Sequence, residues 1–359
     1  MPVLGAISGT SMDGIDVALL DTDGEAPGRA LAGRTYPYDA ALRAALLDLA
    51  ADPARAENGD LAAIEAAVTR AHVEAARALI AESGVAPARV TLAGLHGQTI
   101  LHRPERGYTR QLLDGALATR LLGMPVVARF RHADMAAGGQ GAPLAPLYHR
   151  ALARDLPGPL MVLNLGGVAN VTYLDGETVI AFDTGPASAP LDDFVRARRG
   201  LAYDANGALA AAGRPDIATV ETLMALPFFA APPPKSLDRN DFHAYARAVE
   251  RLSDADGAAT LAAFTVASIA AARRHVPRAP RRWLVAGGGR RNAFFMDRLR
   301  AELAVPVDPV ETVGWDGDFL EAQLFAWLAA RARRGLPLSL PSTTGCRVPT
   351  TGGEFFEAA

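Results

Sequence analysis

The sequence predicts an α/β protein with mixed sheets, organised as two related domains. Three observations carry that prediction. Apolar runs of strand length alternate with stretches of helical period through most of the 359 residues. The chain opens on strand, Gly-rich turn, strand, from Val3 to Asp21. The same pattern returns about 160 residues later, from Leu160 to Asp175, as a duplicated domain would require.

The opening stretch carries the chemistry. Val3 to Ile7 and Ile15 to Leu20 are apolar runs, and Ser8 to Gly14 between them holds two glycines, three hydroxyls and a carboxylate. Gly9 and Gly14 allow a ligand close to the backbone. Successive N–H groups with Ser8, Thr10 and Ser11 make a concave site for an anion. Asp13 and Asp16 would repel a bare phosphate, so they argue for one carried with Mg²⁺. A Walker A loop is excluded because the region has no lysine. A dinucleotide fingerprint is excluded because the turn opens a strand and not a helix. An ordinary hairpin is the competing account, although hairpin turns have no need of three hydroxyls.

The remaining elements follow in order. Asp39 to Ala50 and Asp60 to Ser83 read as helices, the second ended by Gly84. Arg89 to Leu95 is a strand ending in the polar turn His96 to Thr99. A short helix from Asp114 to Leu122 precedes a strand from Pro125 to Phe130. A Gly-rich loop, 136–144, leads into a helix through Arg154. The second strand–turn–strand unit turns at Gly166-Gly167, and a strand from Val179 to Phe182 ends in Asp183-Thr-Gly-Pro186. Helices follow at Ser188 to Arg199 and Asp254 to His275, with a stiff Pro-rich loop at 231–236 between them. Trp283 to Gly289 is strand into glycine turn, Asn292 caps a helix to Leu303, and Asp318 is expected to cap the helix through Arg334. The tail from Pro341 shows little periodicity.

Composition narrows the function classes. Half the residues are hydrophobic and 21% are charged, with a formal net charge of −3, so there is no electrostatic footprint for nucleic acid. The single cysteine, Cys346, cannot form an internal disulfide and suits a reducing compartment. No secretory signal is evident, and the longest apolar run, Ala258 to Ala272, is short for a membrane span. The expectation is a cytoplasmic protein without a membrane partner. Lys235 is the only lysine among 36 basic residues, and a lysine kept in so arginine-rich a chain suggests a site that needs a compact ammonium. Chance survival is an equal account. No histidine lies in a zinc-binding pattern.

Gly5-x-x-Ser-Gly-Thr-Ser-x-Asp-Gly-x-Asp16 resembles the ATP phosphate loop of the anhydro-N-acetylmuramic acid kinases, members of the actin, Hsp70 and sugar-kinase superfamily. The resemblance runs from end to end, through His96-Gly-Gln-Thr99, Gly138-Gly-Gln-Gly-Ala-Pro-Leu144, Asn164-Leu-Gly-Gly-Val-Ala-Asn170, Asp183-Thr-Gly-Pro186, Pro234-Lys-Ser236, Gly287-Gly-Gly289 with Arg291-Asn292, and Glu321 with Leu324-Phe-Ala-Trp-Leu328. It implies two actin/Hsp70-like (RNase H-like) domains with an interdomain ATP/sugar cleft. The lobes expected are 1–130 with about 345–359, and 131–344. The implied reaction phosphorylates O6 of 1,6-anhydro-N-acetylmuramic acid and opens its ring with water, giving N-acetylmuramic acid 6-phosphate in peptidoglycan recycling.

On this reading Asp183 is the general base. ATP and Mg²⁺ are held by Gly9, Thr10, Ser11, Met12, Asp13, Gly14, Ile15 and Asp16, with Gly166, Gly167, Gly287, Gly288 and Asn292 on the nucleotide's other side, and Asp13 and Asp16 are the expected metal ligands. His96, Gln98, Arg131, Lys235 and Glu321 are the expected sugar contacts, and a homodimer is expected. Arg131 suits a carboxylate by a bidentate pair. The chain departs from the family pattern at Arg129, His132, Ala187, Ser188, Leu237 and Asn240, around these sugar contacts. Two rivals stay open: a kinase of the same fold acting on another amino sugar or sugar acid without ring hydrolysis, and a nucleotide-gated binding protein.

Overall fold

The computed structural model describes residues 1–9, 11–237 and 243–357; Thr10 and the 238–240 stretch with Asn240 lie outside the described residues. The chain divides into two compact units, 1–154 with 319–359, and 155–318. These limits differ from the lobes expected above. Residues 131–154 and the helix Leu320–Arg333 belong with the first unit, because that helix packs on its sheet.

In the first unit the strands are β1 (Pro2–Ser8), β2 (Gly14–Asp21), β3 (Arg29–Pro37), β4 (Ala93–Arg103), β5 (Tyr108–Leu112) and β6 (Val126–Ala128), all in one sheet with a strand from the C-terminal tail, Glu354–Phe356. β1, β2 and β3 form an antiparallel meander, β4 lies parallel to β1 on its other side, and β6 lies parallel to β4. In the second unit β7 (Leu160–Leu165), β8 (Val168–Asp175) and β9 (Thr178–Pro186) repeat the meander, and β10 (Arg282–Ala286) and β11 (Val307–Pro309) add in parallel beside β7. Both units thus share one strand order and one set of directions. This is the RNase H-like topology of actin/Hsp70-like domains. The tail strand is β12, antiparallel to β6.

Close approach of a helix fixes one face of the first sheet. A Cβ on Gly5 would stand 1.9 Å from the Ala322 carbonyl oxygen, and one on Gly94 would stand 2.1 Å from that of Phe325. Only glycine lets β1 and β4 meet the backbone of helix Leu320–Arg333 so closely. The far end of that helix is tied down by Trp327 Nε1, which donates to the Ala26 carbonyl at 2.9 Å, and Arg331 Nη1, which donates to that of Gly24 at 2.7 Å. The opposite face buries Leu4, Ala6, Ile15, Val17 and Leu19 against helices Ala40–Ala50 and Ala62–Glu82.

In the second unit Met161, Leu163, Phe182 and Val285 form a core with helices Ala189–Arg199, Asp254–Ala271 and Ala293–Leu303. Residues 254–275 are long and apolar enough to cross a membrane by length and composition, contrary to the expectation above. The helix packs inside this unit with Phe264 and Ile269 wholly buried.

Several local expectations hold. Asp39 accepts from the Ala41 and Leu42 amides, Asp114 from Leu117 and Asn292 from Phe295, each at a helix start. Asp318 does not cap. Phe319 occupies the cap position without a side-chain bond, and Asp318 pairs with Arg290 and Arg291 instead. His96 to Thr99 lies within β4 and is not a turn, because β5 pairs with β4 and extends it to Arg103. Asp183 lies inside β9, which continues to Pro186 along β8.

Replacing Gly5 by Ala should destabilise the chain by about 3 kcal/mol, since the methyl group meets backbone that cannot yield. Urea denaturation measures this, and Gly84→Ala, where nothing lies within 4 Å, isolates the cost of the left-handed backbone alone.

Candidate active site

The site residues fall into two groups, one in each unit. In the first, the bend between β1 and β2 is closed by Met12 N donating to the Gly9 carbonyl at 3.1 Å, and by Ser8 Oγ donating to the Gly14 carbonyl at 2.8 Å. Met12 has a φ of +55°, unusual for a side chain of its size, and is buried. Gly9, Ser11 and Asp13 are exposed, while Ile15 points into the core, so only its backbone can meet a ligand.

A bulge aims Gln98 at this bend. β1 and β4 pair Ala6 with Leu95 and then Ser8 with Gln98, so one extra residue interrupts the alternation of faces. Gly97 absorbs it with a φ of +76°. Gln98 Nε2 thereby donates to the Gly9 carbonyl at 3.1 Å and to that of Thr99 at 3.2 Å, and its Oε1 is buried without a partner among the described residues. Gln98 thereby braces the bend.

Asp16 lies in β2, whereas Asp13 lies in the bend before that strand begins, and the two acids have different partners. Asp16 accepts from Thr35 Oγ1 at 2.6 Å on the side covered by helix Leu320–Arg333, whose first turn carries Glu321. Burial, and next the charge of Asp16, raise the Glu321 carboxyl above the ordinary glutamate range, while Arg131 pulls it down. The Glu321 side chain keeps access to solvent, which limits the effect. Asp13 instead pairs with Arg43 at 2.9 Å. Among the described residues no group of three or more His, Cys, Asp or Glu could hold a metal. Mg²⁺ that keeps its waters and a substrate phosphate needs only one or two carboxylates, and Asp16 fits that donor set whereas the Asp13 carboxylate is paired with Arg43.

Arg131 Nε donates to His96 Nε2 at 3.0 Å, and Arg131 Nη1 to the Gly141 carbonyl at 2.8 Å. His96 must then carry its proton on Nδ1, which lies 3.2 Å from the Gly97 carbonyl. Its ring packs on Phe325, with centroids 4.6 Å apart. Burial, with Arg131 adding to it, pushes the His96 pKa well below the ordinary value, so the ring is a neutral acceptor. The Gly-rich loop beside it folds around Asp134, a buried carboxylate that accepts from Gly141 N and Thr344 Oγ1, both at 2.6 Å, and from Ser339 Oγ. Sequence reasoning missed the roles of Asp134 and Arg43; their partners lie far along the chain, and no local pattern reports them.

In the second unit Asp183 is buried, its backbone N–H donates to the Lys235 carbonyl at 2.9 Å, and its Oδ2 accepts from Leu237 N at 2.8 Å. The Pro-rich loop therefore runs beside β9. Lys235 Nζ donates to the Phe228 carbonyl at 2.9 Å and lies 4.7 Å from the Phe228 ring centre. Burial pushes its pKa down to about 8, which leaves it a cation at neutral pH. Gly166 and Gly167 turn β7 into β8, and their carbonyls accept from the Ser188 and Ala187 amides, both at 3.0 Å. After β10, Gly287 has a φ of +78° and no room for a Cβ, which would meet Asn164 Oδ1 at 2.5 Å, whereas Gly288 faces open space. Asn292 caps the following helix and donates to the Asp204 carbonyl, so its side chain is engaged within the protein.

Two domains of this topology, one with a glycine and hydroxyl bend and one with a buried carboxylate on its third strand, define the actin/Hsp70-like class. The family model for anhydro-N-acetylmuramic acid kinase matches residues 1–358. Relatives named anhydro-N-acetylmuramic acid kinase include one from Rhodospirillum rubrum, 53% identical over 358 residues that cover 99% of this chain and 94% of that one. Another, from Acidiphilium cryptum, is 54% identical over 361 residues covering 99% and 98%. Among solved structures, component A of (R)-2-hydroxyglutaryl-CoA dehydratase from Acidaminococcus fermentans is similar over 92% of this chain and 98% of that one, at 12% identity and a TM-score of 0.48. The chain belongs to the anhydro-N-acetylmuramic acid kinase family, and it is a phosphotransferase.

Buried histidines give the molecule a pH signature. Burial pushes the pKa of His72, His102 and His149 down to about 4 in the folded chain. Unfolded, each takes up a proton near pH 6.5. The unfolded state therefore binds more protons, and stability should fall as pH drops from about 6.5 to about 4, by at most about 3 kcal/mol per histidine. Urea midpoints across that range check this, and His72→Leu should flatten part of the fall.

Proposed function

We propose that the chain transfers the γ-phosphoryl of ATP to O6 of 1,6-anhydro-N-acetylmuramic acid while water opens the anhydro ring. The match to the kinase family across 1–358 carries this reading. The product is N-acetylmuramic acid 6-phosphate, a step in recycling cell-wall sugar within the cytoplasm.

The residues suit each part of the reaction. Water must be deprotonated as it attacks the anomeric carbon, and Asp183 is the base; the hydrogen bond that Leu237 N–H donates to its Oδ2 holds the carboxylate in one orientation. The C1–O6 bond breaks, and O6 attacks the γ-phosphorus as ADP leaves. Phosphoryl transfer of this kind is mainly positioning and charge stabilisation. The bend at 9–16 receives the polyphosphate, and Asp16 is the residue to hold Mg²⁺, whose charge offsets that of the phosphates. Gly288, open and without a side chain, lets the adenosine approach the turn after β10. Arg131, held by His96, faces the lactyl carboxylate of the sugar, and Glu321 and Lys235 hold its polar groups.

Purified protein should release ADP with the 1,6-anhydro sugar and give a reducing, phosphorylated product. Turnover on free N-acetylmuramic acid alone would support the rival without ring hydrolysis. Asp183→Asn should lower kcat by about a thousandfold or more while ATP binding stays near normal; an active variant removes Asp183 from the mechanism.

A further inference from the structure

The bend at 8–14 poses an electrostatic problem for an anion. It carries an exposed carboxylate, Asp13, and its backbone offers carbonyl oxygens as well as amides. Three of those carbonyls are each taken up by a side chain. Gln98 Nε2 donates to Gly9 O, Ser8 Oγ to Gly14 O, and Arg43 Nε to Met12 O at 3.0 Å. Arg43 does more than the other two. The same guanidinium donates from Nη2 to Asp13 Oδ1 at 2.9 Å. One side chain thus holds two consecutive residues of the bend, the left-handed Met12 and the acid that follows it.

We propose that Arg43 is a positioning residue for the nucleotide: it cancels the Asp13 charge and turns the Met12 carbonyl away from the polyphosphate. The inference rests on the reading of the bend as the phosphate site and extends it to a residue outside the bend. Stability does not account for the arrangement. The Arg43 and Asp13 side chains are 43% and 69% exposed, and exposed pairs of this kind add little to folding. Charge beside a bound anion acts differently, because a neighbouring carboxylate left uncancelled repels every phosphate that enters. The inference also assigns Asp13 a different part from metal binding. Its carboxylate is engaged by Arg43 in the bend, while Asp16 in β2 accepts from Thr35.

A charge cycle tests this. Arg43→Met should raise KM for MgATP about five- to twentyfold, the size one uncancelled unit charge exerts at a partly solvated surface, with little change in kcat or in KM for the sugar. Adding Asp13→Asn to Arg43→Met should restore KM to within about threefold of the wild type, since the charge to be cancelled is gone. Arg43→Lys should fall between, keeping the cation and losing the planar fork. Thermal midpoints check folding, and Arg43→Gln serves in place of Met if that variant is unstable. An unchanged KM for MgATP in both Arg43 variants, or a double variant as impaired as the single one, overturns the proposal. So does a tenfold rise in the Mg²⁺ needed by Asp13→Asn alone, which would make Asp13 a metal ligand. Calorimetry of wild-type protein with MgATP separates the two levels: absence of saturable binding removes the phosphate-site reading itself, and this inference with it.

Discussion

The first unit depends on a contact that side chains would forbid. Helix Leu320–Arg333 rests directly on β1 and β4 at Gly5 and Gly94, with its carbonyls where any Cβ would stand. That approach sets the depth at which the helix's first turn meets the strand ends. Glu321 comes under the influence of Asp16, and Phe325 comes under the His96 ring and against Phe130, with centroids 5.1 Å apart in the latter pair. Arg131 is then held by His96 and by the Gly141 carbonyl. Displacing the helix by the width of a methyl group would move each of these partners.

Acids in the first unit's bend, strand and Gly-rich loop have to be answered individually, and here each has its own answer. Asp13 meets Arg43, Asp16 meets the Thr35 hydroxyl, and Asp134 is saturated by an amide and two hydroxyls. Glu321, exposed in the first turn of its helix, feels the charges of Asp16 and Arg131 in opposite senses. In the second unit the buried Asp183 is oriented by a backbone amide, an interaction that does not depend on another side chain's rotamer.

The duplication links the two units. Each begins with an antiparallel meander whose first strand lies at the centre of the sheet, and each places a glycine turn after that strand. The first turn carries hydroxyls and acids, the second only Gly166 and Gly167. On the reading proposed above the chemistry is divided between them, with anion recognition assigned to the first meander's opening bend and the general base to the second meander's third strand.

The sequence by itself determined the features whose cause lies within a few residues. Those are the glycine bend after β1, the helix starts at Asp114 and Asn292, and the repeat of strand, turn, strand. The family's landmarks were also legible, since they are short runs in a fixed order. Tertiary structure decided what depends on partners far away in the chain. The bulge at Gly97 belongs to the pairing of β1 with β4, and it aims the Gln98 amide at the Gly9 carbonyl. β3, β5 and β12 lack strong apolar patterns, and the sheet edge defines them. Asp318 had the form of a helix cap, but two arginines offered it a stronger partner than a peptide N–H. Arg43 in a helix is unremarkable as a letter; only folding brings it to Asp13, because electrostatic partners meet in space without any periodicity along the chain.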